Sequence, residues 1–170
     1  AVKDVGDTAL KIIRSLVEDV LVVREETIER AVAALIEIEK TVAEGAGAAA
    51  LAALLESPGR FAGKRVGLPI TGGNIDSRVL ASVLMRSLVR DARLVRLRVT
   101  MPDISGSLAR VAGLIAEADG NIVEVQHQRV FGTASVKSTE IEFLIETRDR
   151  GHTEALVQSL EANGLKTTLV

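Results

Sequence analysis

The sequence predicts an α/β chain in two parts: an incomplete strand-and-helix layer over residues 1–91 and a self-contained β-α-β-β-α-β unit over residues 92–170. Three observations carry this. In the first part, short β-branched runs alternate with helical periodicity, a pattern that implies a parallel sheet. Beyond Arg93 the period changes to strict alternation, with Val95, Leu97, Val99 and Met101 separated by Arg96, Arg98 and Thr100, the mark of a strand with one buried face. Asp119-Gly120 and Asn163-Gly164 then close two helical stretches that stand between strands. The chain has 170 residues, enough to bury roughly 70% of its unfolded surface.

Taken in order, Ala1 to Leu16 reads as an irregular approach, and Asp19 to Val23 as a short strand feeding a helix. In that helix Ile28, Val32, Leu35 and Val42 recur at helical spacing, with Glu25, Glu29, Glu37 and Lys40 on the other face. Glu44-Gly45-Ala46-Gly47 interrupts the pattern, and Ala48 to Leu55 follows as a helix so rich in alanine that neighbouring backbone can approach closely. Ser57-Pro58-Gly59 ends it. Arg65 to Ile70 reads as a second strand, and Thr71-Gly72-Gly73-Asn74 leads into a helix carrying Val79, Leu80, Val83, Leu84 and Leu88. Two strands and three helices do not cover both faces of a sheet, so this part reads as a piece of a larger layer.

In the second part the alternating strand is followed by a helix through Leu108, Val111, Ala112 and Ile115. A strand from Asn121 to Phe131, a turn from Gly132 to Lys137 and a strand from Thr139 to Thr147 then form a hairpin. A helix with Ala155, Leu156 and Leu160 and a last strand from Leu165 to Val170 complete a ferredoxin-like order. No internal repeat is seen, and the boundary is expected near Asp91-Ala92.

Composition excludes several classes of function. Lys and Arg number 21 against 23 Asp and Glu, and the aromatic residues are three Phe. A phosphate-tracking basic face and a base-stacking platform both lack material, so nucleic acid is not an expected partner. The chain has no Cys, which removes disulfides, thiolate zinc sites and cysteine nucleophiles together. His127 and His152 lie 25 residues apart without a metal-binding frame, so no metal is expected. The longest apolar run, Gly45 to Leu55, is about half a membrane span; a cytoplasmic protein without a membrane partner is expected. A first residue other than Met, here Ala1, suggests processing or a piece of something longer.

Two segments stand out as candidate sites. Thr71-Gly72-Gly73-Asn74 is a glycine-containing junction where backbone N–H groups can approach a ligand closely, or a tight turn that merely needs glycine. Glu44 is a charged partner for that junction, or a solvated helix-end carboxylate. Asp103-Ile104-Ser105-Gly106-Ser107-Leu108 joins a strand to a helix: its amides suit a carboxylate and Asp103 an ammonium, the two poles of an amino acid. Ordinary capping of the helix by Asp103 or Ser105 is the alternative. His127, between Gln126 and Gln128, reads as a satisfied or interfacial histidine. No nucleophile-base-acid triad is apparent, and none of the lysines sits where burial would activate it.

Four segments in order, Glu44-Gly45-Ala46-Gly47-Ala48, Pro69-Ile70-Thr71-Gly72-Gly73-Asn74-Ile75-Asp76, Asp103-x-x-Gly106-x-Leu108 and Asn121-Ile122, resemble the C-terminal portion of threonine dehydratase. The resemblance covers essentially the whole chain. It implies that residues 1–91 are the last part of a tryptophan-synthase-β-like, pyridoxal-phosphate-dependent catalytic domain, and that residues 92–170 are an ACT regulatory domain. It places Thr71 opposite the pyridine nitrogen of pyridoxal phosphate, with Gly72, Gly73 and Asn74 beside it and Glu44 near the ring. The Schiff-base lysine and the phosphate-binding glycine loop are expected upstream, so no catalytic residue falls in this chain and the fragment alone is expected to be inactive.

The resemblance further implies a regulatory amino acid at Asp103, Gly106, Leu108, Asn121 and Ile122, held between paired ACT domains of a homo-oligomer. Ser105 stands where the family often has proline, which implies a looser turn before Gly106. The implied reaction is deamination of L-threonine to 2-oxobutanoate and ammonia. The alternative is a stand-alone amino-acid-sensing or oligomerisation module without catalysis.

Overall fold

A computed structural model describes residues 6–127 and 137–170. It contains α1 (Asp7–Leu16), α2 (Glu25–Glu37), α3 (Ala49–Glu56), α4 (Pro58–Phe61), α5 (Ser77–Arg90), β1 (Leu94–Pro102), α6 (Ser107–Glu117), β2 (Asn121–His127), β3 (Ser138–Glu146), α7 (Arg150–Ala162) and β4 (Lys166–Leu169). The chain divides into two compact units, one ending at Val79 and the other running from Leu80 to Val170.

In the first unit α2 lays Thr27, Ala31, Val32 and Leu35 inward, and Ala48 and Ala52 are fully buried at the start and middle of α3. Small side chains let these elements come close, as the alanine-rich sequence predicts. A hydrogen-bonded clasp ties their ends. Arg24 Nε donates to Glu56 Oε1 at 2.6 Å while the buried Thr27 hydroxyl donates to Glu56 Oε2. The Thr27 bond first, and then Arg24, hold the Glu56 carboxyl below its ordinary range.

Three details differ from the sequence reading. Residues 7–16 are helical rather than irregular, because Ala9, Ile12, Ile13 and Leu16 follow helical spacing with Asp7 in the first turn and Arg14 in the last. The runs at Val20–Val23 and Arg65–Ile70 form no strand. A strand exists only by pairing, and among the described residues of this unit no neighbouring strand satisfies their N–H and C=O groups. The division between units falls inside α5, upstream of the junction expected near Asp91-Ala92. The turn that follows α5 is bound within the second unit, where Thr147 donates through N to Arg93 O at 3.0 Å and through Oγ1 to Ala92 O at 2.6 Å.

The second unit has the predicted β-α-β-β-α-β order. Its sheet is fully antiparallel in the order β2-β3-β1-β4. Alternation puts Val95, Leu97, Val99 and Met101 of β1 and Ile141, Phe143 and Ile145 of β3 on one face, where they pack with Val111 and Ile115 of α6 and Leu156 and Leu160 of α7. Phe143, among the largest of these, is fully buried, and an aromatic of this size anchors the core. The hairpin turn expected at Gly132–Lys137, and the end of its first strand toward Phe131, lie largely outside the described residues.

The other sheet face is charged. Arg98 donates from Nε and Nη2 to Glu142 Oε1 at 3.1 and 2.7 Å, and Arg96 lies between Glu142 and Glu124 at 3.6 and 3.8 Å. Glu142 is thus engaged on this face, and Arg98 holds its carboxyl below its usual range. His152, at the start of α7, is buried and saturated. Its Nδ1 accepts from Arg148 N at 3.0 Å and its Nε2 lies 2.6 Å from Ala118 O. This histidine is a structural bolt across α6 and α7.

Candidate functional site

The first candidate site forms where the chain from Val42 to Gly47 meets residues 71–73. Glu44 N donates to Gly72 O at 2.8 Å. The contact is closest at Gly47 and loosens toward Gly73. A Cβ on Gly47 would overlap the Thr71 carbonyl, one on Gly72 would run into the Glu44 carboxylate, and one on Gly73 would lie 3.2 Å from Val42 O. Gly72 also has φ +69°, a conformation that L side chains rarely adopt. Thr71, Gly72, Gly73 and Glu44, 27 residues away from Thr71 in sequence, are therefore brought together, while Thr71 and Asn74 remain exposed.

The junction does not open directly into a helix. α5 begins at Ser77, and Asp76 Oδ1 already accepts from Arg78 N and Val79 N at 2.9 and 3.1 Å. Asp76 caps the helix. Any ligand at Thr71–Asn74 is therefore held by the glycine clasp rather than by the helix terminus.

The second candidate site is a cavity of about 650 Å³ in the second unit. The rim is the loop from Pro102 to Leu108, joining β1 to α6, and the floor is formed by Met101, His127, Thr139 and Ile141. Gly106, at φ +88°, sits at the N-cap of α6. As glycine it offers no side-chain acceptor to the first-turn amides. The loop is pinned by Asp103 N donating to Lys137 O at 3.1 Å.

Asp103, Gly106 and Leu108, the residues expected to hold an effector, all line this cavity. Asn121 and Ile122 do not. They lie at the far end of β2, where Asn121 pairs in register with Glu146 and its Nδ2 donates to Glu146 Oε2 at 2.7 Å. His127, at the cavity, is six residues further along the strand, about 20 Å at strand rise. Sequence reasoning missed the floor. His127 Nε2 lies 3.0 Å from the Thr139 hydroxyl, and the register sets Met101 beside Thr139 and His127 beside Ile141. Strand parity could have placed Met101 on the core side of the loop, but nothing local fixes how β2 aligns with β3.

Among the described residues no group of three His, Cys, Asp or Glu could hold a metal ion, and no helix is long and apolar enough to cross a membrane.

The two halves correspond to two known families. Residues 1–72 match the pyridoxal-phosphate dependent enzyme family and residues 95–164 match the ACT domain. The chain thus joins a segment of a pyridoxal-phosphate enzyme to an ACT domain, and pyridoxal phosphate is the cofactor that this family implies. More particularly, it fits the C-terminal portion of threonine dehydratase. It is 38% identical over 164 residues to the L-threonine ammonia-lyase of Geobacter sulfurreducens, covering 96% of this chain and 41% of that protein. Identity to the L-threonine ammonia-lyase of Thermotoga maritima is 34% over 170 residues, covering 100% of this chain and 42% of that protein. The catabolic L-threonine dehydratase TdcB of Escherichia coli K12 is 43% identical over 77 residues, covering 44% of this chain and 23% of that one. The chain spans about two-fifths of the length of the two ammonia-lyases it matches along most of its sequence.

The clasp fits such a cofactor. Gly47 packs against the Thr71 carbonyl and Gly72 against the Glu44 carboxylate, while Thr71 itself stays exposed and open to a flat ring.

Proposed function

We propose that this chain is the C-terminal part of a threonine ammonia-lyase, with residues 1–91 completing the catalytic domain and residues 92–170 regulating it. The observation that supports it best is the ordered pair of family matches combined with identity along 96% of the chain. The parent enzyme deaminates L-threonine to 2-oxobutanoate and ammonia. Pyridoxal phosphate, when bound, supplies the electron sink for loss of the α-proton.

The residues of this chain position that chemistry. Thr71 would offer a neutral hydroxyl to the pyridine nitrogen. Unlike a carboxylate partner, it does not favour a proton on that nitrogen, a setting suited to β-elimination rather than transamination. Gly72 and Gly73 would allow close backbone approach to the cofactor, with Asn74 and Glu44 beside them. The lysine that anchors the cofactor belongs to another part of the parent, so the 170-residue chain supplied with pyridoxal phosphate releases no 2-oxobutanoate from threonine. Its release would refute the assignment of the anchor lysine elsewhere. The denatured mass of the native polypeptide in its source cells tests the parentage directly: a band well above 18.0 kDa supports it, and a band at that mass favours a stand-alone regulator.

In the second unit the cavity beneath Asp103–Leu108 receives an amino-acid effector, its ammonium near Asp103 and its carboxylate at the amides of the loop. Asn121 and Ile122, about 20 Å from His127 along β2, would meet an effector from a second copy, which favours a homo-oligomer as the regulatory form of this cytoplasmic protein. A stand-alone sensing module has one observation in its favour, the completeness of the second unit around its own cavity. Ligand-dependent stabilisation lost on Asp103→Ala tests effector binding in both cases.

A further inference from the structure

The first unit carries an apolar groove of about 490 Å³, apart from the glycine clasp. Leu35 and Ile38 at the end of α2, Leu51 and Leu55 of α3, and Leu68 and Ile70 line most of it. Leu35 is buried, yet Ile38 is 73% exposed, Leu55 37% and Ile70 36%, an apolar strip of the kind that marks an interaction surface. Val66, Leu68 and Ile70 alternate with Arg65, Gly67 and Pro69, and Leu68 and Ile70, two apart, share the groove as the pleat of a strand requires. Among the described residues, no backbone hydrogen bond joins residues 65–70 to another segment.

Two packed helices, each about 10 Å across, cover the width of about four strands spaced by about 4.8 Å. Here α2 and α3 pack together, but one strand-like run stands at their groove. The missing neighbour must bring apolar side chains for the groove and main-chain N–H and C=O groups for residues 65–70. A small apolar ligand brings only the first. The two ammonia-lyases matched along most of this chain have about three-fifths of their length outside the matched part, which is ample polypeptide to supply both. We propose that the groove seats an apolar strand from that part of the parent polypeptide, paired beside residues 65–70. Pro69 has no N–H to donate, so the ladder forms on the side served by Val66, Leu68 and Ile70. Groove and clasp are continuous in the chain: Thr41, at the groove, lies three residues before Glu44, and Ile70 directly precedes Thr71. Seating the strand therefore fixes both arms of the clasp. This inference rests on the reading of the chain as part of a threonine ammonia-lyase.

Amide hydrogen exchange in the 170-residue chain and in the intact parent enzyme tests it. In the parent, the amides of Val66, Leu68 and Ile70 exchange at least about a hundredfold more slowly than in the chain alone. Equal rates in the two, fast or slow, overturn the proposal. Protection in the chain alone that rises with its concentration gives the groove to a second copy and overturns it too. Ile38→Gln tests the side-chain layer. In the chain alone, where Ile38 is mostly exposed, the melting midpoint stays unchanged; in the parent, a polar group buried beneath the strand speeds exchange at the three amides about tenfold or more. Unaltered exchange in that variant of the parent refutes the seating of a strand over Ile38. A native polypeptide of 18.0 kDa removes the parent and this inference with it, whereas a larger one with fast exchange at Val66, Leu68 and Ile70 overturns this inference alone.

Discussion

Replacing Gly106 by alanine isolates one backbone angle at the effector cavity. A Cβ at Gly106 meets nothing within 4 Å, so no steric clash arises, yet its φ of +88° lies where an L side chain is strained. Strain of about 1–2 kcal/mol is partly offset by about 0.4–1 kcal/mol of lost freedom in the unfolded chain, leaving Gly106→Ala destabilised by about 1 kcal/mol. Gly113 is the control. It is also open to a Cβ, but it lies inside α6 without a positive φ, so Gly113→Ala stabilises by about 0.5–1 kcal/mol. The two changes, seven residues apart and adding the same methyl, differ in sign. The chain has no Trp or Tyr, so unfolding is followed in urea by far-UV circular dichroism. Each kcal/mol also moves the melting midpoint by about 4–8 °C for a unit of this size. If Gly106→Ala is neutral or stabilising, the left-handed turn at the cavity rim is not the conformation this glycine holds.

The cofactor clasp predicts that Gly47→Ala, whose methyl would overlap the Thr71 carbonyl, weakens pyridoxal-phosphate binding in the parent enzyme at least tenfold, as read from cofactor absorbance. Unchanged affinity would separate the clasp from the cofactor. Asp149 caps α7 by accepting from His152 N at 2.8 Å, so Asp149→Ala costs about 1 kcal/mol in urea unfolding; no loss would show the cap to be redundant. Glu142 is held below its ordinary value near 4.5 chiefly by its bond to Arg98, so its ionised form favours the fold. That stabilisation is fully present above the unfolded value and disappears as pH falls through the lower folded one. Glu142→Gln therefore lowers the urea midpoint at neutral pH and converges with the unaltered chain in acid; a constant difference across that range would exclude the ion pair as its source.

Much of the second unit was legible because its signals are local. Alternation in Val95–Met101 and Ile141–Ile145 and the turns at Asp119-Gly120 and Asn163-Gly164 each determine an element from neighbouring residues, and the helices then have one sheet face to cover. The resemblance borne by Glu44–Ala48, Thr71–Asn74 and Asp103–Leu108 likewise lay in short contiguous segments, as did the expectation of a pyridoxal-phosphate segment joined to an ACT domain. The amphipathic spacing at Ala9, Ile12, Ile13 and Leu16 was equally local, and it outweighs the irregular path expected there.

Tertiary structure decided what depends on partners distant in sequence. Val20–Val23 and Arg65–Ile70 have the residues of strands but no neighbouring strand beside them, and β propensity does not make a strand without a hydrogen-bonding partner. Register is likewise invisible in one strand alone. Only the alignment of β2 with β3 carries Asn121 away from Asp103 while seating His127 over Thr139 and beside Ile141. The sequence by itself determined which residues face the core and which short segments carry the family's motifs, because periodicity and steric allowance are properties of neighbouring residues. The structure decided which of those segments meet, because closing a chain over 27 residues from Glu44 to Thr71, or choosing one register among several, is settled by the sum of contacts across the whole unit.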